Sequence, residues 1–188
     1  MDRRWLLATL GALVTATALG LARGAARLRA RLRPPGALPP GEFERHCIRC
    51  VRCAEACPVG AIRFTSVLAT DGGTPELLPR QAPCVLCMRC TEACPTTALR
   101  PIPLDAATIQ REVRIGIPVL DRSLCIPWRG EGLCRLCFYV CPYPGTAVAL
   151  VGPQQGPVFD PPSCVGCGLC EQACPDRAQA IRIEARKA

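Results

Sequence analysis

Four times along this chain a run of cysteines ends in Cys-Pro, and no other feature limits the fold so sharply. The first run is Cys47-x2-Cys50-x2-Cys53-x3-Cys57-Pro58 and the second is Cys84-x2-Cys87-x2-Cys90-x3-Cys94-Pro95. The fourth, Cys164-x2-Cys167-x2-Cys170-x3-Cys174-Pro175, repeats the same spacing. The third is stretched to Cys125-x8-Cys134-x2-Cys137-x3-Cys141-Pro142. Behind each Cys-Pro comes a short apolar run of strand character: AIRF, TALR, TAVAL and QAIRI. The unit reads as a cysteine loop, a helical turn carrying the last cysteine, and a strand, used four times over. The expected fold class is α+β.

The spacing also selects the chemistry. Three thiolates at x2 intervals wrap one face of a cubane, while the loop backbone offers N–H groups to its sulfurs. The fourth thiolate, just before proline, points away and completes a neighbouring cluster. Structural zinc favours two Cys-x2-Cys knuckles separated by a longer loop. Disulfides between such close loop cysteines are strained, because bridged Cα atoms must sit at restricted separations. Four [4Fe–4S] clusters are therefore the expected cofactors. Composition agrees. All sixteen cysteines lie between Cys47 and Cys174, and aromatic residues make up only 4% of the chain. A chain so poor in large rings needs staples, and metal binding supplies folding free energy.

Adjacent groups read as pairs, each pair a bacterial-ferredoxin-like module with two clusters. On that reading cluster one takes Cys47, Cys50, Cys53 and Cys94, and cluster two takes Cys84, Cys87, Cys90 and Cys57. Cluster three takes Cys125, Cys134, Cys137 and Cys174, and cluster four takes Cys164, Cys167, Cys170 and Cys141. The other pairing, outer groups together and inner groups together, stays open. The connector REVRIGIPVLD, from Arg111 to Asp121, enters a new strand and favours adjacent pairs. The expected organisation is thus a signal or anchor with a basic flank over 1–33 and a stiff Pro-rich linker over 34–43. The modules follow over 44–110 and 111–188. In the stretched run, the insertion IPWRGEGL reads as a loop extension that sets Trp128 as a cap over its cluster; the alternative is a docking loop or a cluster of shifted potential. His46, the lone histidine, reads as a solvated surface residue.

The first residues pose a different problem. Arg3 and Arg4 open an apolar run reaching about Ala22, marginal for a spanning helix of about 20 residues. An arginine pair directly ahead of such a run suggests a twin-arginine export signal, although Asp2 stands where Ser or Thr is usual. Arg23, Arg27, Arg29, Arg31 and Arg33 follow the run, and the positive-inside rule would keep that side cytoplasmic. Clusters of this kind are inserted inside the cell, so the cargo must fold before it crosses. A route that exports folded proteins and tolerates the basic flank reconciles label and cargo. The alternative is an inside-facing anchor with a basic membrane-surface segment. The formal charge of +8 rests on 22 arginines and one lysine, with no Arg–aromatic stripe to stack bases, so nucleic acid is not an expected partner.

The twin arginine, RLRPPGA ahead of CIRCVRCAEACP, the four cysteine groups, and the stretched run LCIPWRGEGLCRLCFYVCP together resemble the MauM/NapG family of ferredoxin-type proteins. The resemblance implies a periplasmic, membrane-associated electron carrier without a catalytic site of its own. It implies a quinol-oxidising membrane iron–sulfur protein as donor. The acceptor would be a periplasmic redox enzyme or c-type cytochrome, of the nitrate reductase or methylamine dehydrogenase systems. Two other functions remain: a maturation factor for a periplasmic redox enzyme, and a cytoplasm-facing electron-transfer subunit of a membrane oxidoreductase.

Overall fold

A computed structural model describes residues 31–69, 71–175 and 178–186; the apolar run and its arginine pair lie outside them. Among the described residues no helix is long and apolar enough to cross a membrane. Residues 31–188 form one compact unit.

Helices and strands are short because proline, glycine and the cysteine loops interrupt every run. In the first half, α1 (Glu42–His46) and α2 (Arg52–Glu55) precede β1 (Ile62–Phe64), β2 (Pro75–Leu77) and α3 (Arg89–Glu92). A seven-residue helix, α4 (Ala106–Glu112), is started by the Asp105 carboxylate, which accepts from the Thr108 N–H at 2.8 Å. Val113 behind it is fully buried. The second half holds β3 (Ile117–Leu120), α5 (Leu136–Tyr139), β4 (Val148–Val151), β5 (Gly156–Phe159), α6 (Leu169–Ala173) and β6 (Ile181–Glu184). The three sheets among the described residues are antiparallel pairs. β1 lies on β2 with Ile62 opposite Leu77, β4 on β5 with Val148 opposite Phe159, and β3 on β6 with Leu120 opposite Ile181. In β6 the burial alternates, Ile181 and Ile183 inward and Arg182 and Glu184 outward, as a half-buried strand requires.

The two halves share one plan. Each has a hairpin between its two cysteine groups and a pairing of its first segment with its last. In the second half that outer pairing is the full ladder β3–β6. In the first half, TALR forms only a bridge, Leu99 to Ala37, with Leu38 N–H on Ala98 O at 3.1 Å and Arg100 N–H on Gly36 O at 2.8 Å. The facing stretch contains Pro34, Pro35, Pro39 and Pro40, which have no N–H to donate, so a longer ladder cannot form.

That pairing corrects the expectation of a spacer over 34–43. Pro34 is fully buried, Phe43 is 1% exposed, and the segment is built into the first module. Gly36 sits at φ +74, with the Arg100 carbonyl only 2.3 Å from where a Cβ would stand. The preceding arginines are committed as well. Arg33 donates to Asp71 Oδ2 (2.7 Å), Glu44 Oε1 (3.0 Å), Thr74 Oγ1 (2.8 Å) and Pro75 O (2.8 Å), and its guanidinium lies 4.8 Å from the Phe43 ring centre. Arg31 pairs with Asp71 and Glu76, both at 2.8 Å.

Burial alone would raise the Asp71 carboxyl, but the two guanidinium partners outweigh it and hold the group below the usual carboxylate range. A depressed carboxyl stabilises the fold above its unfolded value, and that stability is lost as pH falls through the folded value. Asp71→Asn is expected to cost about 1–3 kcal/mol at neutral pH. Anaerobic denaturant titration of the loaded protein measures it; an unchanged midpoint would remove this network from the account of stability.

Candidate metal centres

The cysteine loops owe their shape to left-handed residues at alternate positions. In the first loop these are Arg49 (φ 58°) and Val51 (φ 59°), and in the second Leu86 (φ 57°) and Met88 (φ 54°). In the fourth they are Gly166 (φ 75°) and Gly168 (φ 84°). Such alternation turns successive N–H groups to one side and makes a concave, anion-favouring nest. The second left-handed residue is also the N-cap of the helix that carries the third cysteine: Val51 for α2 and Cys53, Met88 for α3 and Cys90, Gly168 for α6 and Cys170. The fourth cysteine stands at or just past the helix end, where the proline forbids another turn.

Each fourth cysteine leaves its own group. Cys47, Cys50, Cys53 and Cys94 line cavity one, of about 360 Å³. Cys84, Cys87, Cys90 and Cys57 line cavity two, about 320 Å³. Cys125, Cys134, Cys137 and Cys174 line cavity three, about 330 Å³, and Cys164, Cys167, Cys170 and Cys141 line cavity four, about 350 Å³. The same donor set, four thiols, recurs at each cavity. All sixteen thiols are unbridged. Among the described residues no three of His, Cys, Asp or Glu converge on a point that would hold a single ion. Four sulfurs spread around a void suit a polynuclear cluster rather than a mononuclear ion.

Backbone donors reach several of the sulfurs. The N–H groups of Ala61, Leu99 and Ala180, at or near the start of the segments after Cys-Pro, point at Cys57, Cys94 and Cys174 Sγ at 3.3, 3.4 and 3.3 Å. Gly166 N–H reaches Cys164 Sγ at 3.4 Å. Hydrogen bonds of this kind set a cluster's potential. Burial pushes the Cys84, Cys90 and Cys137 thiols up to about 12, and Cys53 and Cys167 to about 11. At Cys94 burial works the same way, but donors from Leu99, Thr96 and Ala98 outweigh it and leave the thiol below its ordinary value. Without clusters the buried thiols are protonated at neutral pH, so loading must release their protons.

Elsewhere the site departs from expectation. Trp128 does not line cavity three; Ile126, Leu136 and Pro157 close that wall. The indole needs an acceptor when partly buried and finds one in Pro157 O, at 3.1 Å. It packs flat on Gly156, where a Cβ would stand 2.7 Å from its ring, and Arg122 stacks 4.1 Å from its centre. His46 is exposed, its Nδ1 2.9 Å from Glu42 O one turn back. Three residues that the sequence reading passed over join the modules. Arg80 donates to Glu171 O (2.6 Å) and Cys174 O (2.8 Å), and Pro79 abuts Gly168.

Comparison with known proteins matches this geometry. A family model described as a 4Fe-4S dicluster domain covers residues 46–98, and one described as a 4Fe-4S binding domain covers 157–179. The stretched run lies outside both. The chain is 36% identical to the methylamine utilization ferredoxin-type protein MauM of Methylobacillus flagellatus, over 99% of this chain and 85% of that protein. It is 36% identical to MauM of Paracoccus denitrificans, over 87% of this chain and 75% of that protein. It is also 32% identical to the ferredoxin-type protein NapG of Escherichia coli, over 92% and 79%. The cofactors are [4Fe–4S] clusters, and sixteen cysteines provide for four of them.

Anaerobically loaded protein should contain about sixteen iron and sixteen sulfide per chain, four for each quartet. Cys57→Ala should disturb the cluster bounded by Cys84, Cys87 and Cys90 and spare the one bounded by Cys47, Cys50 and Cys53. Site-resolved spectroscopy decides the point; damage confined to the Cys47 group would refute the crossed assignment.

Proposed function

Because the chain belongs to the MauM and NapG family of ferredoxin-type electron-transfer proteins, we propose that it relays electrons in the periplasm, at the membrane surface. The donor is a quinol-oxidising membrane iron–sulfur protein, and the acceptor is a periplasmic redox enzyme or c-type cytochrome. Each cysteine quartet holds one [4Fe–4S] cluster, which supplies a one-electron site; the chain itself makes and breaks no bonds. The observation that carries this reading is the set of four similar cavities, each ringed by four thiols, within one compact unit. Such a body stores and passes electrons. It has nests and N–H donors to tune them, and its polar networks serve structure: Asp71 with Arg31 and Arg33, Asp105 at a helix start.

Part of the basic flank behind the apolar run is shared with the folded module. Arg31 and Arg33 belong to the folded module, where Asp71, Glu44 and Glu76 neutralise them. That leaves Arg23, Arg27 and Arg29 behind the run against Arg3 and Arg4 ahead of it.

Two measurements test the proposal. Reduced quinol with a membrane fraction containing the donor should bleach the visible absorbance of the loaded protein, and a periplasmic extract should restore it. Clusters that stay oxidised under quinol, in a protein still needed for maturation of another enzyme, would favour the assembly role instead. For the address, Arg3→Lys with Arg4→Lys keeps the charge but loses the planar guanidinium fork. Loaded protein should then accumulate in the cytoplasm with its clusters intact. A reporter fused after Arg33 that stays cytoplasmic in both forms would reject export.

A further inference from the structure

We propose that electrons pass between the two modules at the fourth cysteine group, so that the cavities are used in the order one, two, four, three and the stretched third run is an end of the row. This rests on the electron-carrier reading and adds the path within it.

Within each module the neighbours are set by helix packing. Helix α2 carries Cys53 of cavity one and packs against α3, which carries Cys90 of cavity two. Helix α5 carries Cys137 of cavity three and packs against α6, which carries Cys170 of cavity four. The junction lies between these pairs. The Cys84 N–H donates to the Cys167 carbonyl at 2.9 Å. One hydrogen bond therefore joins the backbone of a cavity-two ligand to that of a cavity-four ligand. Cys167 and Val165 belong to the first module's core, with Cys90, Leu86 and Met88 around them. Cys170 belongs to the second core, with Cys125, Cys137 and Cys174. Group four alone has a cysteine in each core, and none of cavity three's four cysteines is in the first.

The repeats provide their own control. At equivalent positions and with the same sign of φ, groups one and two carry Arg49 and Val51, and Leu86 and Met88. Left-handed backbone thus does not by itself demand glycine in these loops. Group four has Gly166 and Gly168, and there a Cβ would stand 2.3 Å from the Gly116 nitrogen and 2.2 Å from the Pro79 Cβ. Gly168 is where the loop of cavity four meets the chain ahead of cavity two, while Gly166 abuts Gly116 on the connector that enters β3. Arg80, beside Pro79, bonds the last carbonyls of that same group, Glu171 O and Cys174 O. A close, hydrogen-bonded contact favours tunnelling, which falls steeply with distance through the intervening atoms. One electron moves; one site loses what its neighbour gains, and no bond is broken or proton taken.

The test uses loaded full-length protein, reduced in steps and read by electron paramagnetic resonance, with no partner present. Cys134→Ala and Cys141→Ala lie in the same run but face cavities three and four. Cys134→Ala should leave the remaining three clusters magnetically coupled in one series. Cys141→Ala should leave clusters one and two coupled and cluster three alone, its splitting lost. Modules that uncouple in Cys134→Ala, or a cluster three that stays coupled to cluster two in Cys141→Ala, would overturn the order. Should both variants fail to load, Gly168→Ala decides against Gly152→Ala, another left-handed glycine but with open space around it. Loss of between-module coupling with iron retained is expected in the first only; equal coupling in both overturns the proposal. Intact coupling with no response to quinol would count against the carrier function and leave the path standing.

Discussion

The rest of the structure depends on a placement that crosses each module: the fourth cysteine of every group lines the cavity of the neighbouring group. Apolar packing here is modest. The main core is assembled from Phe43, Met88, Leu99, Val113, Val165 and further aliphatic side chains, with cysteines themselves among its members. Helices of four to seven residues and strands of three or four cannot stand alone. Cys94 lines cavity one and Cys57 lines cavity two, so that one occupant in each would fasten the halves of the first module twice, and Cys174 and Cys141 are placed to do the same in the second. Protonated thiols buried in those positions would leave four voids in place of the fastenings.

Spacing made much of the site legible. A Cys-x2-Cys-x2-Cys-x3-Cys-Pro run carries ligand type, count and the direction of the last thiol in twelve residues, because loop geometry and proline are local effects. What stayed hidden depends on contacts across the chain. Nothing local in RLRPPGALPPG distinguishes a solvated spacer from a segment buried under Thr91 and Arg100; the difference is the pairing of Leu38 with Ala98. TALR looks as strand-like as QAIRI, yet its partner lacks the N–H groups that β3 offers β6. Trp128 was legible as a large ring near a cluster run, but its orientation follows from a carbonyl on β5, 29 residues away.

The interface between modules was readable in principle. Setting the four runs in register shows glycine at two positions of the fourth where the first two have Arg, Val, Leu and Met. Repeats that keep their ligands while changing such residues record where each copy meets a different neighbour. Pro79 and Arg80, by contrast, have no counterpart that would mark them, since they belong to the connection between runs rather than to the runs.

The crossed fourth cysteine also sets a schedule for biosynthesis. A growing chain cannot complete the quartet around Cys47 until residue 94 has left the ribosome, nor the quartet around Cys125 until residue 174 has. The Cys57 thiol, made early, has to wait for Cys84, Cys87 and Cys90. Metal loading therefore waits, within each module, for that module's second run, and a chain ending between the two runs of one module strands unpaired ligands from the first. Quality control thus has a simple signal to read: a product interrupted inside a module holds thiols with nothing to bind, whereas one that stops between the modules, after Cys94 and before Cys125, holds none.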